Sequence, residues 1–450
     1  MSLAASKGGI YKGDTDLEGD QISIVRYWQA VGKKLLSGAE LYQKLLPEAQ
    51  PIQLEVGIGN ECGMNCEHCY LAYPPGELHT SSVSIENLNA TVAEMVRTLH
   101  TRMVCVADRD ALTPGRSMPF FRHLASLREE FPDLKFGGVT NGLLMPVFVE
   151  DLAQLPLDYL DISIEGLREE HDNIRGKGHF DRAIKNLKLA QKHKVADRIM
   201  VAHTLTRYND DSLLYLIHEL ITKEGVDWFD IGPFMAVAPK MLSHQLRETD
   251  LAEFLESLAT SLHPLEVDRP INILIELCAY CASFLPALVD KGWLIPEIIK
   301  QDRYGHLYQI IPVNSSINLI LRPELISEYW RHTLRISFDG YVIGGCEPLT
   351  NKNYQKLSVG NIKNGDIKSI YKGSLEINSP FHSSMLSIDR TSCRTKSCFQ
   401  YCLGGDSLLS KSIYDDYNKK DPNCIWDEYS SKSPNKSIDF YPLSESLSSI

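Results

Sequence analysis

No stretch of the 450 residues approaches the ~18 consecutive apolar residues of a membrane-spanning helix, so no membrane segment is expected. Residues 1–30 hold Lys7, Lys12, Asp14 and Asp16 and lack the apolar core of a secretory signal, which points to the cytoplasm. A basic excess is also missing. Lys and Arg number 46 against 58 Asp and Glu, a formal net charge of −12 at pH 7. Phosphate attraction is therefore no driving force here, which argues against a nucleic-acid partner. The expected compartment offers no oxidising conditions, so the eleven cysteines need a reason other than disulfides. Clustered thiols in a reducing compartment point to metal. They fall at 62–69, at 278 and 281, at 346, and between 393 and 424, with Cys105 alone in an apolar strand and read as core.

Hydrophobic residues make up 43% and charged residues 23%, the profile of a soluble globular chain. The length suggests one large domain and one or two smaller ones. A helical pattern runs through Ile22–Leu46 within an N-terminal segment, 1–50. Strands are predicted at Gln53–Ile58, Arg102–Ala107, Leu134–Val139, Leu157–Ile164, Arg198–Leu205 and Trp228–Pro233, with helical segments between them. This alternation predicts an α/β fold, a parallel sheet forming a partial (β/α)6 barrel over 51–240, with the chemistry at the strand C-termini. Residues 241–330 break the rhythm and read as a bridging or insertion region, with helices at Leu251–Leu262 and Ala287–Lys300. Residues 331–429 open on a hairpin, Thr333–Phe338 and Tyr341–Ile343 around Asp339-Gly340. The last segment, 430–450, holds eight serines and reads as a flexible tail.

Cys62, Cys66 and Cys69 stand as C-x3-C-x2-C just after the first strand. Three thiolates at this spacing can ligate three irons of a [4Fe-4S] cubane and leave the fourth open. The competing assignment is a zinc site with His68 as fourth ligand. The barrel-like series behind the loop and the further cysteine clusters favour the cubane.

These residues resemble the radical S-adenosylmethionine superfamily over about 56–235. Thr140-Asn141-Gly142 is similar to its third-strand ending, and Ser163-Ile164-Glu165-Gly166 to its S-x-D-G strand end. His171-Asp172, Ile174-Arg175-Gly176 and Phe180-Asp181 resemble the stretch that follows. The resemblance implies an S-adenosylmethionine cofactor on the open iron. It further implies that Ser163, Arg175 and Thr204 touch that cofactor, where plain capping or ion pairing is the alternative. The family's second strand usually ends in Gly-Gly-Glu-Pro; here the stretch is Asp108-Arg109-Asp110-Ala111, and Asp110 is the carboxylate expected to meet the ammonium. His68 stands where an aromatic residue usually packs near the adenine.

Cys393-x4-Cys398-x3-Cys402, Asp421-Pro422-Asn423-Cys424 and the hairpin leading to Cys346 resemble the C-terminal SPASM extension, an iron–sulfur-binding domain of peptide-modifying enzymes. One cysteine of the family's run is absent, with Arg390 in its place. The family's wiring implies one closed auxiliary cluster on Cys278, Cys281, Cys346 and Cys402, and a second on Cys393, Cys398 and Cys424. A twitch-type extension with one auxiliary cluster, and Cys278 and Cys281 as core or a zinc half-site, is the alternative.

Layout, the altered second strand end and the incomplete SPASM set resemble maturases of ribosomal peptides with nitrogen-fixation-protein-like leaders. Within these, the splicease group excises tyramine at a Tyr-Gly site and leaves an α-keto-β-amino acid. The resemblance implies a precursor peptide as substrate, an external electron donor and a separate leader-recognition protein, since the first 50 residues read as too short for an internal one. Thioether or carbon–carbon crosslinking and epimerisation are the alternatives within the class. An iron–sulfur electron carrier or a zinc-stabilised binding protein is the alternative outside it. Glu165, Asp230, Tyr304 and His306 are weakly placed acid–base candidates.

Overall fold

The computed structural model describes residues 52–71, 82–236, 239–247, 249–295, 298–302, 304, 306–323, 333–344, 347–375, 405–416, 419, 421 and 424. The expected N-terminal helix, the tail at 430–450, Cys346, Cys393, Cys398 and Cys402 lie outside the described residues.

The six predicted strands form: β1 (Gln53–Val56), β2 (Met103–Val106), β3 (Lys135–Thr140), β4 (Tyr159–Ser163), β5 (Arg198–Leu205) and β6 (Trp228–Pro233). Each pairs in parallel with the next. Parallel neighbours need a crossover, and helices supply it. These are α1 (Ile85–Thr98), α2 (Ser117–Glu130), α3 (Met145–Leu152), α4 (Arg168–Arg175), α5 (His179–His193) and α6 (Asp210–Glu224). Their ends follow local chemistry. The Ser84 hydroxyl accepts from the Asn87 N–H at 3.1 Å to start α1, and Gly225, at φ +69°, ends α6.

The sheet continues where the sequence rhythm breaks. After α7 (Asp250–Leu262), β7 (Ile271–Leu277) adds in parallel to β6. The helix expected over Ala287–Lys300 is only α8 (Leu285–Asp290). Gly292, at φ +75°, follows its end, and Lys300–Gln301 is instead a short strand, β8. β9 (Leu307–Pro312) runs antiparallel beside β10 (Ile317–Pro323), which is parallel to β7. On the other edge, β11 (Thr333–Ile336) pairs in parallel with β1. It turns into β12 (Tyr341–Ile343), giving the expected hairpin, and β13 (Gly360–Asn361) follows. The described sheet has thirteen strands in the order β13-β12-β11-β1-β2-β3-β4-β5-β6-β7-β10-β9-β8. Beyond it, α9 (Ile367–Ser374) packs on α1.

The two faces of this sheet differ in chemistry. Outward residues such as Leu54, Val104, Phe136, Leu160, Val201 and Phe229 are fully buried under the helices and form the core. Alternate residues point the other way. There Glu55, Asp161, Arg198, Asp230, Glu276 and Arg335 line a cavity. Tyr304 and Tyr308, packed on Met103, Tyr159, Met200, Leu274 and Ile320, plug its lower end. Cys105, expected in the core, packs against this apolar cluster and also lines the cavity.

Candidate functional site

The loop 57–71 leaves the C-terminal end of β1 and carries the three clustered thiols. Its first residue must be glycine for reasons of space. A Cβ on Gly57 would stand 2.8 Å from the Phe338 backbone nitrogen and press on the Asp108 carboxylate. Gly57→Ala is therefore expected to cost about 1–3 kcal/mol, the usual price of overpacking, because a backbone atom cannot rotate away. A melting temperature equal to that of the parent chain would refute this packing account. Farther along, the Glu67 N–H donates to the Ile174 carbonyl at 3.1 Å and the Cys69 N–H to the Cys66 carbonyl at 3.3 Å, which pins the loop over the end of α4.

Each thiol meets a donor or cation from a different element. Asn141 Nδ2, just past β3, donates to Cys62 Sγ at 3.6 Å. Arg109 Nη1, just past β2, donates to Cys69 Sγ at 3.7 Å, and its Nε donates to Asn60 Oδ1 at 3.1 Å. Arg175, at the end of α4, acts on Cys66 by charge. Burial nevertheless dominates, raising the Cys62 thiol and pushing Cys66 up to about 11.

Glu165, two residues past β4, ties four elements together. Its Oε1 accepts from Arg175 Nε at 2.8 Å and faces His68 Nε2 at 3.3 Å, and its Oε2 accepts from the Thr204 N–H at 2.6 Å. Burial works against its charge, but Arg175 and then His68 hold the carboxyl well below the usual range. The Glu165 N–H donates to His171 Nδ1 at 2.9 Å, and His171 Nε2 meets His179 Nδ1 at 2.7 Å. Burial keeps both imidazoles down, His171 to about 3 and His179 to about 4, so this pair is a neutral brace.

Two aspartates divide the end of β2 between them. Asp110 is a brace: Oδ1 accepts from the Leu112 N–H and Thr140 Oγ1, both at 2.8 Å, and Oδ2 accepts from the Asn141 N–H at 3.1 Å. Asp108, held at φ +77°, lines the cavity and is 3% exposed at its side chain. One of its oxygens pairs with Arg335 of β11, which also pairs with Glu55. Its other oxygen, Oδ2, is buried with no hydrogen-bond partner.

Cys62, Cys66, Cys69, His68, Ser163, Arg175 and Thr204 thus line one cavity of about 580 Å³, and Asp110 supports its rim from behind. Residues 56–220 match the family model described as Radical SAM superfamily. This part of the chain is a radical SAM domain. Azotobacter vinelandii FeMo cofactor biosynthesis protein NifB is 22% identical over 206 residues, 41% of this chain and 40% of that protein. An uncharacterized protein of Methanocaldococcus jannaschii is 28% identical over 173 residues, 37% of this chain and 52% of that one. The chain thus spans about half or less of the curated relatives it matches. Among solved structures, Streptococcus suis SuiB bound to precursor peptide SuiA aligns with a TM-score of 0.59 at 15% identity, over 85% of this chain and 78% of SuiB. The protein anSMEcpe with bound AdoMet and the Cp18Cys peptide aligns with a TM-score of 0.53 at 14% identity, over 84% and 96%. The likeness in fold to these two structures therefore extends beyond residues 56–220.

A radical SAM domain implies S-adenosylmethionine and one [4Fe-4S] cluster, and the cavity's chemistry fits both. Among the described residues, no three His, Cys, Asp or Glu side chains converge as the ligands of one ion would. His68 is turned to Glu165, and its Nδ1 is buried without a partner. Thiols that each reach a different iron stand farther apart than ligands of one ion. Asp108 Oδ2 is an acceptor without a donor, at the strand end where a cofactor ammonium would meet it.

Cys278 and Cys281 share one turn, in which the Cys281 N–H donates to the Cys278 carbonyl at 2.7 Å. Cys278 lines the cavity, whereas Cys281 is fully buried in the apolar core. The Cys424 N–H donates to the Asp421 carbonyl at 3.0 Å, close to α10 (Ser407–Tyr414), whose first turn is capped by Asp406. No helix among the described residues is long and apolar enough to cross a membrane. Asn141, Arg109, Asp108 and Arg335 are absent from the candidates drawn from sequence. The first three sit at strand ends, where position alone was a signal. Arg335 had none, because its place depends on β11 pairing with β1.

Proposed function

We propose that this chain is a radical SAM enzyme that modifies a ribosomally made peptide. Cys62, Cys66 and Cys69 hold the [4Fe-4S] cluster. The observation that carries the assignment is their shared cavity with Asp108 and the Glu165–Arg175–His68 network, walled on both sides by strand ends. Cofactor and cluster together supply a 5'-deoxyadenosyl radical that abstracts hydrogen. This chain's own residues place it. The Asp108 carboxylate would accept from the cofactor's ammonium, and Arg175, Ser163 and Thr204 would hold its carboxylate and ribose. His68, fixed by Glu165, would cover the adenine side. Asp110 keeps the ends of β2 and β3 in register so that Arg109 and Asn141 reach the thiols.

A peptide substrate is supported by the two structural neighbours, each solved with a peptide bound. Within that class we infer tyramine excision at a Tyr-Gly site, with a separate leader-recognition protein and an external electron donor. Incubating the reconstituted enzyme with a Tyr-Gly precursor, S-adenosylmethionine and reductant should release 5'-deoxyadenosine and a peptide lighter by a tyramine unit. Loss of a hydrogen pair would mean crosslinking, and deuterium uptake without mass loss would mean epimerisation. No 5'-deoxyadenosine at all would leave only an electron carrier or a binding protein.

Two arrangements of the remaining cysteines are in play. Two auxiliary clusters would use Cys278, Cys281, Cys346 and Cys402, then Cys393, Cys398 and Cys424. A single auxiliary cluster would leave Cys278 and Cys281 as core cysteines or a zinc half-site. About 8 Fe per chain supports the single cluster and about 12 the pair.

A further inference from the structure

The geometry points to a cation pocket inside the barrel, where Asp230 at the level of Ser163 and Asp161 two residues' depth below it receive an ammonium or guanidinium group on a side chain of the peptide. This rests on the peptide-modifying assignment above and names the chemistry of a second peptide side chain, held in the cavity beside the Tyr-Gly site.

The cavity's other carboxylates have cations of their own. Glu55 and Asp108 meet Arg335, Glu165 meets Arg175, and Glu276 Oε1 accepts from Arg322 Nη1 at 2.6 Å. Asp161 and Asp230 differ. Asp161 is 5% exposed and lines the cavity, and its Oδ1 has no hydrogen-bond partner. Asp230 also lines the cavity, with a buried Oδ1 that has none. Unpartnered buried oxygens of this kind are costly unless a ligand supplies donors.

Strand register brings the two together. Asp161 pairs with Met200, and Asp230 pairs with Ala202, so only β5 lies between them. At the upper level β5 contributes just the methyl of Ala202. Ser163, which also pairs with Ala202, marks the level expected to touch the cofactor. Asp161 lies two residues below it, a depth of about 7 Å. A lysine or arginine stem spans that distance while its apolar part packs on the wall and its head finds polar partners. Met200, Trp228 and Leu274 provide that wall.

The charged neighbours agree with this occupant. Burial and then the Glu276 carboxylate raise Asp161, and Arg198 lowers it. Burial, Glu276 and Asp161 raise Asp230, against Arg322. Arg198 is itself stacked over the Trp228 ring at 4.5 Å. Two carboxyls crowded in this way gain most from an added positive charge with several N–H donors. A bare metal ion would lack a third ligand, since no three such side chains converge among the described residues.

Nα-acetyl-lysine methylamide, Nα-acetyl-arginine methylamide and the norleucine analogue are the probes, titrated calorimetrically into the full chain with its iron–sulfur content but without reductant. At least one cationic probe should bind about tenfold or more tighter than norleucine, and the two will show whether an ammonium or a guanidinium is preferred. Asp161→Asn and Asp230→Asn, each checked by thermal melting for a folded state, should each weaken that probe severalfold and leave norleucine unaffected. Equal binding of all three probes overturns the pocket, as does cationic binding that neither variant weakens. The titration needs no radical chemistry. Absence of 5'-deoxyadenosine from the reduced wild-type enzyme would therefore fail the enzymatic assignment separately.

Discussion

Cys66→Ala is expected to reduce 5'-deoxyadenosine formation to background and to lower the iron content by about four atoms per chain. The loss should be this large because nothing nearby can take over. Cys62 and Cys69 would be left as a two-thiol site, and the nearest other titratable ring, His68, is held by Glu165. Ligand thiols must shed their protons, and burial pushes Cys66 up to about 11, so irons bound there would be needed to keep it as thiolate. Cys66→Ser should do little better, since a hydroxyl is a poor ligand where iron–sulfur clusters prefer soft thiolates. The control is Cys105→Ala. Its thiol also lines the cavity but bonds with Tyr159, and the variant should keep its iron. A Cys66→Ala protein with full iron content and undiminished 5'-deoxyadenosine would remove the three-cysteine loop from the mechanism.

That loop was legible in the sequence because spacing and chemistry coincide: three thiols, one turn, one preceding strand. Strands β1 to β6 were legible for a related reason, since short apolar runs between helical segments admit few other placements. What was not legible depends on partners far away in the chain. Arg335 pairs with Glu55 across 280 residues, and only the docking of β11 on β1 brings them together. Asp110 was the carboxylate expected at the cofactor, but Asp108 is the one that lines the cavity, because a positive φ at Asp108 turns the loop. β7 and β10 were missed because 241–330 was read as a bridging region outside the strand–helix alternation, and the helix read into 287–300 ends ten residues before Lys300.

The second large effect is expected from Arg175→Ala, which should destabilise the domain by about 3–5 kcal/mol, because removing one partner of a buried pair strands the other charge. The Glu165 side chain is 1% exposed and Arg175 10%, so water cannot replace the lost cation. His68, the Thr204 N–H and the brace of His171 and His179 all converge on Glu165, so the loss should spread to the loop carrying the thiols. The pH dependence identifies the cause. In the parent chain the Glu165 carboxyl lies well below its unfolded value of about 4.3, so its contribution is complete above that value and fades as pH falls through the folded one. Without Arg175, burial governs and the folded value rises above the unfolded one. Glu165 then destabilises at neutral pH and does so less as the pH drops. The gap in melting temperature between parent and variant should therefore be widest near pH 7 and narrow towards pH 4. Adding Glu165→Gln to Arg175→Ala should recover part of the loss, because it removes the stranded charge. A gap that stays constant with pH, together with no recovery in the double variant, would mean that Arg175 acts through packing alone.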